Sequence, residues 1–310
     1  MPTTSLIDEL PRYGPTSSAA APSLAEARAY CRRLTATHYE NFSVAGWLCP
    51  RELRQHFCNV YAYCRWADDL ADETNDPRRS LELLHWWGDE LRACYAGDVR
   101  HPVFVALADT IREFALPPEP LTDLLSAFEQ DQTTTAYETF AELQDYCRRS
   151  ADPVGRLVLY LGRACDDDLA TLSDAICTGL QLANFWQDVR RDRAKGRVYL
   201  PRESLRRFDV DESQLDAPAA SPEFKRLLRF EVDRAETFLR TGLPLAARLP
   251  RNLAGSIWLF AHGGLTILDK IRRLDYDVLR TRPVVSKFDQ ARLLVGYLGR
   301  RFAVRRGADR

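Results

Sequence analysis

The sequence predicts an all-α protein, and three observations carry that prediction. From Leu24 onward apolar residues recur at three- and four-residue intervals, no stretch sustains the period of two that a strand needs, and helix start and stop signals punctuate the chain. Ser23-Leu-Ala-Glu26 has the form of a capping box, in which a hydroxyl and a carboxylate satisfy the backbone N–H groups at a helix start, and it opens a helix over 24–39. Pro50 stands where the first turn of the next helix, 51–73, begins. Pro77, Pro117, Pro118, Pro153, Pro201 and the APAASP stretch at 217–222 read as interruptions. They leave helices over 81–96, 103–115, 120–135, 140–150, 154–163, 172–195, 222–246, 251–275 and 287–303, with a second capping box, Thr139 to Glu142, opening the 140–150 helix.

No Pro/Gly/Ser linker divides the middle and no period of 20–50 residues repeats, so one helical domain is expected over 23–303, after a mobile leader (1–22) and before a basic tail (304–310). The leader lacks the basic start and apolar core of a secretory signal. No apolar run reaches the roughly 18 residues of a membrane span. At 310 residues and 45% hydrophobic content the chain can bury a sizeable core. Forty-three basic and 44 acidic residues are well mixed, for a net charge of −1, which argues against nucleic acid as a partner. Eight cysteines without a C-x-x-C pair read as free thiols in a reducing, cytoplasmic compartment, and five dispersed histidines argue against zinc. For the basic tail, a solvated terminus and peripheral contact with anionic lipid at the inner face of the cytoplasmic membrane both fit the composition.

Two stripes of acid carry the chemistry. At 100° per residue, Tyr61, Arg65, Asp68 and Asp72 share a narrow helix face with Asp69 beside it, while Val60, Ala62, Cys64, Trp66, Ala67 and Leu70 cover most of the rest. A helix so apolar is expected to be buried, with its polar stripe lining a cavity. Gln181, Asn184, Asp188 and Asp192 form a second stripe four residues at a time. Like charges at that spacing repel, so something cationic must offset them. Spacing alone leaves two readings: a solvated face laced with arginine, or carboxylates for a hard divalent ion such as Mg²⁺ with a phosphate-bearing substrate.

YAYCRWADDLADE, YCRRSADPVG, QLANFWQDVRRDRAKGRVYLP and LDKIRRLDYDVLRTRP together resemble the squalene and phytoene synthases, the head-to-head isoprenoid synthases, from about residue 24 to 290. The resemblance implies a single all-α isoprenoid-synthase bundle around a deep apolar cavity, its two acid helices facing each other across the mouth, with three Mg²⁺ ions binding a prenyl diphosphate. Carried over by position, Asp68, Asp69, Asp72, Asn184, Asp188 and Asp192 are metal-side residues. Tyr61, Arg65, Gln181, Gln187, Arg282 and Phe42 fall on the substrate side, and Tyr146 on the cavity.

Departures from the family pattern refine this. Glu40 stands where a lysine is usual and Asn41 where a serine is; Gln187 replaces an arginine, Arg149 an aromatic, and Gly263 or Gly264 a late tyrosine. Two phosphate-side cations are thereby lost. The pattern is most similar to the hydroxysqualene synthase branch of bacterial hopanoid synthesis, which implies presqualene diphosphate as substrate, water capture without NADPH, and pathway enzymes upstream and downstream as partners. Glu40, Asn41 and Arg149 are the candidates for directing that water. Squalene or dehydrosqualene synthesis from two farnesyl diphosphates is the rival, and a non-catalytic assembly factor of the same fold is a second.

Overall fold

The computed structural model describes residues 6–38 and 50–308. Among these residues there are twelve helices of six residues or more and no strand; one isolated bridge pairs Ala136 with Val198. The helices are α1 (Leu24–His38), α2 (Arg54–Asp72), α3 (Pro77–Ala96), α4 (Pro102–Phe114), α5 (Glu119–Gln130), α6 (Phe140–Ser150), α7 (Asp152–Leu161), α8 (Asp167–Ala194), α9 (Arg202–Arg207), α10 (Pro222–Gly242), α11 (Arg251–Arg273) and α12 (Lys287–Ala308). None is long and apolar enough to cross a membrane.

Both predicted capping boxes form: the Glu26 amide donates to Ser23 Oγ at 3.4 Å and the Glu142 amide to Thr139 Oγ1 at 3.2 Å, with each glutamate reaching back to the cap. Several prolines expected to stop a helix start one instead. Pro77 occupies the first turn of α3, behind Asp76, whose carboxylate accepts the Arg78 amide at 3.0 Å; a first-turn proline lacks only an N–H that the helix would leave unpaired anyway. Asp166 likewise caps α8, accepting the Leu169 amide at 2.7 Å, so that helix begins five residues before the expected 172. The short α9 was not expected.

The chain divides into two compact units. The first holds the residues up to Thr134 together with Arg156–Cys165. Its centre is aromatic: Trp66 of α2 stacks on Trp87 of α3 at 5.4 Å, and Tyr63 and Phe104 close around them. His101 caps α4 from inside this cluster and is held neutral, its pKa driven down to about 3 by burial alone. Ahead of α1, Leu6 is buried and the Tyr30 hydroxyl donates to Glu9 at 2.8 Å while accepting from Trp66 Nε1 at 3.0 Å.

The second unit holds Thr135–Gly155 and Asp166 onward. Its α8 and α10 approach closely because glycines stand at the crossing. A Cβ on Gly179 would meet the Leu239 backbone nitrogen at 2.9 Å, and one on Gly242 the Leu172 carbonyl at 2.6 Å. Glu231 of α10 is fully buried and accepts from Ser204 Oγ at 2.6 Å and from Arg234 at 3.2 Å, while its carbonyl takes Trp186 Nε1 at 3.1 Å. All seven described cysteines are free. Burial pushes the thiols of Cys31, Cys64, Cys94 and Cys177 up to about 12.

Candidate active site

On α2 the predicted stripe is present, and one of its acids points inward. Tyr61, Arg65 and Asp68 are half-buried and Asp72 exposed, whereas Asp69 is buried. Arg65 is the offsetting cation: it pairs with Asp68 at 3.2 Å, with Asp69 more closely, and with Glu73 at 3.7 Å. Burial nevertheless dominates at Asp69, raising its carboxyl to about 7 against the lowering influence of Arg65, and Asp69 Oδ2 has no hydrogen-bond partner. Burial raises the Tyr61 hydroxyl as well.

The second stripe lies along the C-terminal half of α8. Gln181 is half-buried and Asn184 exposed; Asp188 and Asp192 are half-buried. Its offsetting cation comes from far along the chain. Arg282 closes on Asp188 with both arms of its guanidinium, Nη2 to Oδ2 at 2.9 Å and Nε to Oδ1 closer still. The segment that carries Arg282 is held against α8 by two backbone contacts: Gln187 Nε2 donates to the Pro283 carbonyl at 2.7 Å and Arg190 to the Leu279 carbonyl at 2.8 Å. Gln187 is buried in that role, turned toward Pro283. Asp192 is raised to about 6, first by burial and then by its neighbour Asp188.

Tyr146 is buried in a group of rings with Tyr137 at 5.5 Å, Tyr199 at 6.1 Å and Phe185 at 6.4 Å. Phe185 and Tyr199 stack face to face at 3.8 Å. A small recess opens beside this stack, with Asp192 and Arg197 among its lining. Tyr199, Tyr137 and Arg197 escaped the sequence reading because they meet α8 through a chain crossing, in which the Val198 amide donates to the Thr135 carbonyl at 2.7 Å and the Arg202 amide to the Tyr137 carbonyl at 3.0 Å. Only the aromatic in RVYLP hinted at it. Arg149, one turn beyond Tyr146 on α6, pairs with Asp145 at 2.9 Å. Of Gly263 and Gly264, a Cβ on Gly264 would meet the side-chain ends of Leu180 at 2.8 Å and Leu239 at 3.0 Å, while one on Gly263 has nothing within 4 Å. Glu40, Asn41 and Phe42 lie outside the described residues.

Each stripe taken by itself suits a hard divalent cation. Each stripe, within its own unit, offers oxygens one turn apart, Asp68 and Asp72 on α2 and Asn184, Asp188 and Asp192 on α8, and burial first, then neighbouring carboxylates, raises Asp69 and Asp192. Among the described residues no three His, Cys, Asp or Glu side chains converge to cage a metal by themselves. Mg²⁺ needs no such cage, because it takes one or two carboxylates and completes its shell with water and substrate phosphate.

Comparison with known proteins shows the family to which the chain belongs. A family model described as squalene/phytoene synthase matches residues 35–289. A phytoene synthase of Arthrospira platensis is 32% identical over 268 residues, 82% of this chain and 87% of that protein. A hydroxysqualene synthase of Rhodopseudomonas palustris is 38% identical over 213 residues, 68% and 71% of the two chains. The crystal structure of squalene synthase HpnC from Alicyclobacillus acidocaldarius superposes with a TM-score of 0.78 at 45% identity, covering 82% of this chain and 95% of that one.

Proposed function

Because the chain belongs to the squalene/phytoene synthase family, whose enzymes act on prenyl diphosphates, we propose that it is a hydroxysqualene synthase: Mg²⁺-dependent ionisation and rearrangement of presqualene diphosphate, ended by water. The observation that carries the choice is Gln187. At a position where the family usually places a cation, this chain has a neutral amide committed to the Pro283 carbonyl. A condensing enzyme must hold two diphosphates, and a site with fewer cations suits one. The phytoene synthase match extends over more of the chain than the hydroxysqualene synthase match, so the choice rests on the departures and not on overall similarity.

On this reading Asp68, Asp69, Asp72, Asn184, Asp188 and Asp192 hold three Mg²⁺, which when bound neutralise the diphosphate and lower the cost of breaking its C–O bond. Arg65 and Arg282, each held by aspartate, would offer phosphate oxygens the N–H groups that those pairs leave over, with Tyr61 on the α2 stripe and Gln181 on the α8 stripe. The C–O bond breaks with its electron pair on the diphosphate. Tyr146 and the stacked pair Phe185 and Tyr199 would supply the aromatic wall for the carbocation, a free ring face being worth about 0.5–2 kcal/mol. The cyclopropyl skeleton rearranges, a water oxygen forms the new C–O bond, and its proton leaves to solvent or diphosphate. Nothing is oxidised or reduced, so no NADPH enters. Glu40, Asn41 and Arg149 are assigned to orienting that water.

The test is the pure protein with Mg²⁺ and presqualene diphosphate, without NADPH, products read by mass. Hydroxysqualene and diphosphate are expected. Conversion of farnesyl diphosphate alone would favour the condensing rival, and no diphosphate release from either substrate would favour an assembly factor. Replacing Glu40 by Lys together with Gln187 by Arg should shift substrate choice toward farnesyl diphosphate; an unchanged preference would remove the argument from the departures.

A further inference from the structure

Residues 6–13 pack against α2, the helix that carries the first acid stripe. Leu6–Glu9 form a 3-10 turn that runs into a helical turn, Leu10–Tyr13, and Gly14 closes it, its amide donating to the Leu10 carbonyl at 2.8 Å. Three anchors hold this segment within the first unit. Leu6 is 1% exposed. The Glu9 carboxylate accepts the Tyr30 hydroxyl, which itself accepts from Trp66 Nε1, so this contact reaches α2 one turn before Asp69. Tyr13 sets its ring 5.6 Å from those of both Tyr30 and His101, edge to face in each case.

What the segment covers is Asp69. Its side chain is 2% exposed, although it directly follows Asp68, whose side chain is 47% exposed. The backbone N–H of Leu6 donates to the Asp69 carboxylate, and Arg65 closes on it from the previous turn of α2. Water no longer screens that pair, so Asp69 holds the guanidinium more strongly than the half-exposed Asp68 does, and Arg65 Nε is itself buried. We propose that Leu6–Tyr13 is a positioning element of the active site: by covering Asp69 it fixes Arg65 against α2, and so leaves half-exposed Asp68 and exposed Asp72 to meet an ion. The proposal rests on the Mg²⁺ and diphosphate reading of this stripe and gives Asp69 its part in that set, as the anchor of Arg65. Leu6 is then a positioning residue that acts through Asp69.

The experiment titrates Mn²⁺, read by electron paramagnetic resonance, into the full-length protein with inorganic diphosphate, at a temperature where circular dichroism shows every variant folded. Leu6→Ser removes the cover and Leu6→Met keeps it. Losing a group that orients an ion's ligands typically costs about 10–100-fold in affinity, so Mn²⁺ binding should weaken about tenfold or more in Leu6→Ser and stay within about twofold of wild type in Leu6→Met. Glu9→Ala, which removes the second anchor, should weaken it in the same direction. Because Leu6 acts through Asp69, adding Leu6→Ser to Asp69→Asn should cost less than about twofold more. Wild-type affinity in Leu6→Ser, or a loss that persists in full on the Asp69→Asn background, overturns the proposal, since the segment then contributes stability alone. No Mn²⁺ binding by the wild-type protein overturns the metal reading itself, and the proposal with it.

Discussion

Replacing Arg282 by Met keeps most of the side-chain stem and removes the two-armed contact with Asp188. A hydrogen bond to a charged group contributes about 1.5–3 kcal/mol when well buried. Here Arg282 is 31% exposed and Asp188 12%, so solvent screening reduces the figure to about 1–2 kcal/mol. The residue left behind matters as well, because Asp188 would then face Asp192 without its cation and push that carboxyl higher than the about 6 it already has. Urea unfolding at neutral pH without divalent cations should show the Arg282→Met loss, and Asp188→Asn should lose a similar amount. The double variant should lose less than the sum, with a coupling of about 1–2 kcal/mol. If Arg282 also binds the diphosphate, kcat/KM should fall on the order of a hundredfold in Arg282→Met, well beyond what the stability change explains. Losses that add within about 0.5 kcal/mol would refute the pairing, and unchanged kcat/KM would refute the substrate contact.

Gly263→Tyr should melt near the wild-type temperature, whereas Gly264→Tyr should melt clearly lower, because a side chain there must displace Leu180 and Leu239; circular dichroism melts of the two decide it. Gly179→Ala should cost about 1–3 kcal/mol by prying α8 from the Leu239 backbone, and because α8 carries Asn184, Asp188 and Asp192, activity measured well below the melting point should fall too. His101, neutral down to about pH 3 when folded and ordinarily titrating at 6.5, binds its proton more readily in the unfolded chain. Stability from this group is therefore full above pH 6.5 and is lost as pH falls toward 3, at about 1.4 kcal/mol per pH unit, and His101→Asn should flatten that slope by about one proton in urea titrations across this range.

The helices were legible because burying one face of α2 or α8 forces the apolar period into the sequence, and both capping boxes were legible because they are written within four residues. The acid stripes followed from the same geometry. What the sequence hid is long-range. Gln187 finds Pro283 at a separation of 96 residues and Asp188 finds Arg282 at 94, so the partner that makes Gln187 a clamp on the 279–283 segment leaves no local mark. Prolines misled for a different reason: Pro77 breaks a helix from within yet suits its first turn, and only the carboxylate of Asp76 before it tells the two apart. The inward turn of Asp69 was equally hidden, since it directly follows Asp68 on the same helix.

The free cysteines carry a use that has nothing to do with catalysis. A thiol held up near 12 by burial is almost wholly protonated at neutral pH and reacts slowly with alkylating reagents, but it becomes an ordinary nucleophile once the surrounding helices part. Cys31, Cys64 and Cys94 belong to one compact unit and Cys177 to the other, each in its own core or helix face. The native chain therefore carries internal clocks in both units. Pulsed alkylation read by mass spectrometry along a denaturant series records when each clock starts, and so whether the half bearing the first acid motif and the half bearing the second come apart as one cooperative body or in succession.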